Sequence, residues 1–98
     1  MGIYRQTDKV FIYCISDGEF VKVGMSKNIE NRLKQLQTSS ARELFVTLLI
    51  PCACPAQAIM RERQIHKSAR KHNVRGEWFN EAVMENKYLI RYKNRGDR

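Results

Sequence analysis

Hydrophobic residues change their period several times along the chain, and each change marks an element. Val10 to Ile15 (VFIYCI) is almost wholly apolar and rich in β-formers, long enough for a strand and too short for a stable helix. Asp17-Gly18 follows, a hairpin-turn signal because glycine accepts the positive φ such turns need. Phe20 to Gly24 (FVKVG) then alternates, with Phe20, Lys22 and Gly24 on one face and Val21 and Val23 on the other. Phe11, Tyr13 and Ile15 share a face of the first strand, so a hairpin about the turn presents Tyr13 and Lys22 on the same side.

Past Gly24 the period lengthens. Ile29, Leu33 and Leu36 recur at helical spacing behind a cap at Asn28 or Ser26. On a wheel of about 100° per residue, Arg32 falls about 40° outside that stripe, beside Leu36. Thr38 to Arg42 is a polar connection, and Leu44 to Ile50 (LFVTLLI) is apolar enough to be expected as the central strand. Pro51 and Pro55 bracket a loop, and Pro55 suits the first turn of a helix reaching about Lys71.

That helix has an apolar stripe of Ala58, Ile59, Ile65 and Ala69, with Glu62 inside it and His66 one turn further on. A carboxylate on a buried face is costly unless it is paired, protonated or bound to a cation. An internal salt bridge and a functional role both fit Glu62, and His66 taken singly is more often a hydrogen-bonded core histidine. Gly76 marks a tight bend, and Trp78-Phe79 is expected to plug the core at the sheet edge. A last helix is expected from an Asn80 cap to about Tyr92, with Lys93 to Arg98 as a frayed basic tail and Met1 to Lys9 as an extended arm.

The element order is therefore β-β-α-β-α-(short edge segment)-α. It predicts an α+β domain with a small three-stranded antiparallel sheet flanked by helices. One domain fills residues 1–98, its core at about 10–80 and the C-terminal helix and basic tail at 81–98. No run approaches the roughly 20 apolar residues of a membrane span and the N-terminus lacks a hydrophobic signal segment, so an intracellular location is expected, in cytoplasm, nucleus or a virus-infected cell. Cys14, Cys52 and Cys54 cannot all pair, and Cys52-Ala-Cys54 lacks a second cysteine pair at zinc spacing, so the cysteines read as reduced.

Charge sharpens the picture. The formal net charge is +8; residues 1–50 carry 7 Lys/Arg against 5 Asp/Glu, and residues 51–98 carry 11 against 5. Such a surplus attracts polyanions, nucleic acid first among them. Arg61, Arg63, Lys67, Arg70 and Lys71 put five cations into eleven residues, a solvated face that is also able to grip a phosphate backbone. Lys22, Lys27 and Arg32 extend the candidate contact set.

Tyr13 in IYCI, Lys22-Val23-Gly24, Arg32, Glu62-x-x-x-His66 and Gly76-Glu77-Trp78-Phe79 stand in an order and spacing that resembles the GIY-YIG nuclease superfamily, most closely its T5orf172-like (Mug113-like) branch. The match covers residues 10–80; Gly2-Ile3-Tyr4 is a decoy, too far from Lys22 and without strand character. The resemblance implies an endonuclease that hydrolyses phosphodiester bonds in DNA with one Mg²⁺ or Mn²⁺. Tyr13 would help activate water, with Lys22 as the cation that lowers its pKa; Arg32 would hold the phosphate, Glu62 the metal, and His66 would orient Glu62 or relay a proton. Gly24 would support the site, and the superfamily's late asparagine would be Asn80 or Asn73. Lys22 stands where the superfamily has a second tyrosine, which leaves the general base open between Tyr13 and Lys22.

A non-catalytic nucleic-acid-binding module using the same cleft is the alternative. A domain this small has little surface to read a long base sequence, so weak or structure-dependent specificity is expected, or else a homodimer or a specificity partner. DNA and RNA both remain compatible.

Overall fold

The computed structural model describes residues 8–96. The proposed N-terminal arm up to residue 7, with Gly2-Ile3-Tyr4, and the end of the tail lie outside the described residues. Strand β1 (Val10–Ser16) turns into β2 (Phe20–Ser26) through Asp17 and Gly18. The Asp17 carboxylate accepts from the main-chain N–H of Glu19 at 2.9 Å and of Phe20 at 2.7 Å, while Gly18 takes φ +98°. Helix α1 (Ile29–Thr38) starts on Asn28, whose side chain accepts from the N–H of Asn31. Strand β3 (Phe45–Cys52), helix α2 (Pro55–Ser68), the short strands β4 (Asn73–Arg75) and β5 (Trp78–Asn80), and helix α3 (Lys87–Gly96) complete the chain.

The sheet has five strands rather than three, all antiparallel, in the order β3-β1-β2-β5-β4. The expected short edge segment is a hairpin, folded about Gly76 at φ +55° and added to β2. Strand β3 is an edge, not the centre: only β1 flanks it, and Phe45 and Leu49 are 48% and 40% exposed. Its continuous apolar run reads as a doubly covered strand, but α2 and α3 shield it only in part.

Strand alternation sends two sets of side chains to opposite faces. Tyr13 and Ile15 meet Ile29, Leu33 and Leu36 of α1, with Leu44, Val46 and Trp78. Val10, Ile12, Cys14, Val21 and Val23 meet Ala58 and Ile65 of α2, Ala69 just past its end, and Leu89 of α3. The helices thus cover both faces. Ile59, expected in the buried stripe, is 40% exposed.

The last helix also begins later than expected. Asn80 caps a 3₁₀ segment at Glu81–Glu85, and α3 starts only after Asn86, whose side chain accepts from the N–H of Tyr88. Asn86 has extended backbone (ψ 136°) and so cannot continue the first segment into the second. Helix α3 runs to Gly96, past the expected fraying point at Lys93. Helix α2 ends at Ser68, and Arg70–His72 forms a separate 3₁₀ turn.

Candidate active site

The hairpin register pairs Tyr13 with Gly24 and Ile15 with Lys22. Cross-strand partners share a face, so Tyr13, Gly24 and Lys22 all look toward the α1 side. Tyr13 is 1% exposed, and its ring lies across Gly24: a β-carbon there would come within 2.5 Å of the Tyr13 hydroxyl oxygen. Arg32, just outside the apolar stripe of α1, reaches the same oxygen and donates to it through Nε at 3.1 Å. Burial pushes the Tyr13 pKa above its ordinary value, Glu77 and Glu62 push the same way, and Arg32 opposes them. The expectation that Lys22 lowers this pKa is not met, because the cation facing the phenol is Arg32. Lys22 turns instead to Glu77, Nζ to Oε1 3.4 Å, and lies over the Trp78 ring.

Glu62 belongs to α2, on the other face of the sheet, and the sheet's own shape lets it reach Tyr13. Strand β5 covers only Phe20 to Lys22 of β2. Beyond that point the edge of β2 is open, and the outward N–H and C=O of Val23 need partners. The N–H donates to the main-chain oxygen of Glu77 at 2.9 Å, and the C=O accepts from His66 Nε2 at 2.9 Å. The second bond places the ring proton of His66 on Nε2 and leaves Nδ1 as the only nitrogen free to accept. The imidazole is also held edge-on to Phe79, centroids 5.0 Å apart. Docked this way, α2 carries Glu62, one turn before His66, round the open edge into the field of Tyr13 and Lys22.

Glu62 has a buried Oε2 without a hydrogen-bond partner. Burial raises its carboxyl pKa, Glu77 adds to the rise, and His66 and Lys22 pull it down. The internal salt bridge that the sequence left open is not formed: the cation nearest in kind, Lys22, pairs with Glu77. Nor is a hydrogen bond between His66 and Glu62 present among the described residues; His66 Nε2 bonds Val23 instead.

Glu77 is the site residue that sequence reasoning missed, having read it only as one letter of Gly76-Glu77-Trp78-Phe79. It stands at the tip of the β4–β5 hairpin, where Asn73 braces the turn by donating from Nδ2 to the carbonyls of Gly76 at 2.8 Å and Trp78 at 3.1 Å. The available signal was a solitary carboxylate beside a bend glycine in a basic stretch. Ligand atoms of Glu62, His66 and Glu77 lie within 4.8 Å of one another.

The remaining candidates separate. Arg63, Lys67 and Arg70 line a groove of about 460 Å³ together with His66, Asn73, Gly76 and Phe79, and Lys71 is exposed outside that lining. Lys27 is paired with Asp8 at 3.3 Å. Asn80 pairs with Phe20, at the end of β2 away from Val23, and its side chain accepts from the N–H of Ala82. It is a cap, and Asn73 is the asparagine next to the cluster.

A family model of the T5orf172 domain matches residues 10–95. The chain belongs to the T5orf172 domain family. This family is nuclease-like and DNA-binding, and the matched span runs from the first residue of β1 into α3, enclosing Tyr13, Lys22, Arg32, Glu62, His66 and Glu77. Comparisons with curated proteins and with solved structures return no match. No helix among the described residues is long and apolar enough to cross a membrane.

Proposed function

We propose that this T5orf172 domain is a divalent-metal-dependent endonuclease that hydrolyses phosphodiester bonds in DNA at the open edge of β2. The observation that carries the reading is the meeting of a phenol, a guanidinium and a partnerless buried carboxylate from three separate elements: Tyr13 and Arg32 share a hydrogen bond, and Glu62 acts on Tyr13 from the opposite helix. A basic groove lined by Arg63, Lys67 and Arg70 also includes His66.

The donor set fits a hard cation. Glu62 supplies a desolvated carboxylate oxygen with nothing bound to it, and His66 keeps only Nδ1 for a ligand or a bound water. Such donors suit one Mg²⁺ or Mn²⁺, completed by water and phosphate oxygens. When bound, the ion would neutralise charge on the leaving oxygen.

Around it the chain's own groups have distinct tasks. Arg32 would hold the phosphate through its guanidinium and stabilise the charge added as water attacks. Tyr13, a neutral phenol whose oxygen already accepts from Arg32, uses its O–H to position that water. Lys22, on the same face, adds a cation to the site, and the water's proton departs to solvent. The water oxygen bonds to phosphorus, the bond from phosphorus to the sugar oxygen breaks, and the sugar oxygen takes up a proton.

Supercoiled plasmid incubated with the protein and Mg²⁺ tests this, beside Glu62→Ala and Arg32→Lys. Nicking that is lost with EDTA and falls at least a hundredfold in both variants supports the proposal. Salt-sensitive binding without nicking would favour the binding-module reading, and undiminished nicking by Glu62→Ala would remove Glu62 from the metal.

A further inference from the structure

Glu77 has no role in the mechanism above, yet its side chain lies close to several of the site's groups. Its Oε1 is 3.4 Å from Lys22 Nζ and 3.1 Å from the position of a Gly24 β-carbon. A ligand oxygen of Glu77 lies within 4.8 Å of ligand atoms of both Glu62 and His66. Its side chain is 40% exposed, whereas its main chain bonds Val23.

Charge gives this placement a meaning. A divalent ion on Glu62 alone would stand beside Lys22 and Arg32 with one negative charge to offset it. With a second carboxylate the ion's two charges are matched, and the neighbouring cations are left for the substrate's phosphate. We propose that Glu77 is the second carboxylate ligand of the divalent ion, and that Lys22 and the ion compete for it. In the metal-free protein Glu77 neutralises Lys22; with the ion bound it joins Glu62, and Lys22 becomes available to the phosphate. This rests on the metal reading of Glu62 and adds to it a ligand and a competitor.

Calorimetric titration of the full chain with Mn²⁺ in the absence of DNA distinguishes the two layers. The expected result is one ion per chain in the wild type. Glu77→Gln is expected to weaken binding about tenfold or more, Glu62→Gln to weaken it further, and Lys22→Met to tighten it severalfold by removing the competitor. Glu77→Gln keeps the main-chain bond to Val23 and the side-chain volume, and a circular-dichroism melt run alongside shows that each variant is folded. Mn²⁺ affinity unchanged within twofold in Glu77→Gln, with Glu62→Gln impaired, would overturn the inference and leave the nuclease reading standing. A wild type that binds no Mn²⁺ would overturn both.

Discussion

The Tyr13 hydroxyl oxygen lies 2.5 Å from where a β-carbon on Gly24 would sit, and Glu77 Oε1 lies 3.1 Å from the same point. Glycine at this position is a matter of space rather than of backbone conformation, since Gly24 is not among the positive-φ glycines. Gly24→Ala therefore has to push the phenol off β2, and with it the Arg32 contact. The expected cost is about 1–3 kcal/mol of stability from overpacking, together with loss of DNA cleavage. Urea denaturation and a plasmid assay check the two effects; a Gly24→Ala protein with wild-type stability would show that the ring has room to move.

Glu62 trades stability for function. Its Oε2 is buried without a partner, and burial with Glu77 nearby raises its pKa, so ionisation of this carboxyl opposes folding. Glu62→Gln should stabilise the metal-free protein by about 1 kcal/mol, equivalent to a Tm increase of about 4–8 °C for a domain of this size. The same change should abolish cleavage. A melt in EDTA is the measurement, and a variant less stable than the wild type would mean that the carboxylate is satisfied in solution.

The groove of Arg63, Lys67 and Arg70 has His66 in its lining. If it tracks the DNA backbone, changing any one of the three to Gln weakens binding on all sequences alike. It should also reduce the slope of log K against log salt by about one. Lys27, held by Asp8, should change that slope less. Fluorescence anisotropy with the catalytically impaired Glu62→Gln protein at several salt concentrations gives the slopes.

The β1–β2 turn should make stability depend on pH. Burial alone would raise the Asp17 pKa, but hydrogen bonds from the main chain of Phe20 and Glu19, with Arg42 at 3.8 Å, bring it below its ordinary value. A depressed carboxylate adds stability above its unfolded pKa of about 3.9 and loses it as pH falls through the lower folded value. Asp17→Asn should thus be less stable than the wild type at pH 6, with the gap closing below about pH 4. Urea midpoints across that range test it.

Much of this was legible before any coordinates. Alternation and the Asp17-Gly18 turn fixed the face shared by Tyr13 and Lys22, and the helical stripe placed Arg32 beside the sheet. The five-stranded sheet was hidden because β4 and β5 have three residues each, too few for a period to show. The edge position of β3 was hidden because an apolar run looks alike in a central strand and in an edge strand half covered by helices. Glu77 was hidden for a third reason: its place at the site depends on β5 stopping opposite Lys22, and pairing length leaves no mark on the neighbouring residues. The basic helix face was visible in full, but which of its cations line the groove depends on how His66 anchors α2 to Val23.

The central claim is that side chains from both faces of the sheet meet on one phosphodiester at the open edge of β2. Anomalous diffraction from crystals grown with Mn²⁺ and a phosphorothioate oligonucleotide tests it most directly. The account predicts a manganese peak on a Glu62 carboxylate oxygen and a phosphate group against Arg32 and Tyr13. Manganese bound elsewhere, with DNA along the Arg63–Arg70 groove and no phosphate near Tyr13, would contradict it.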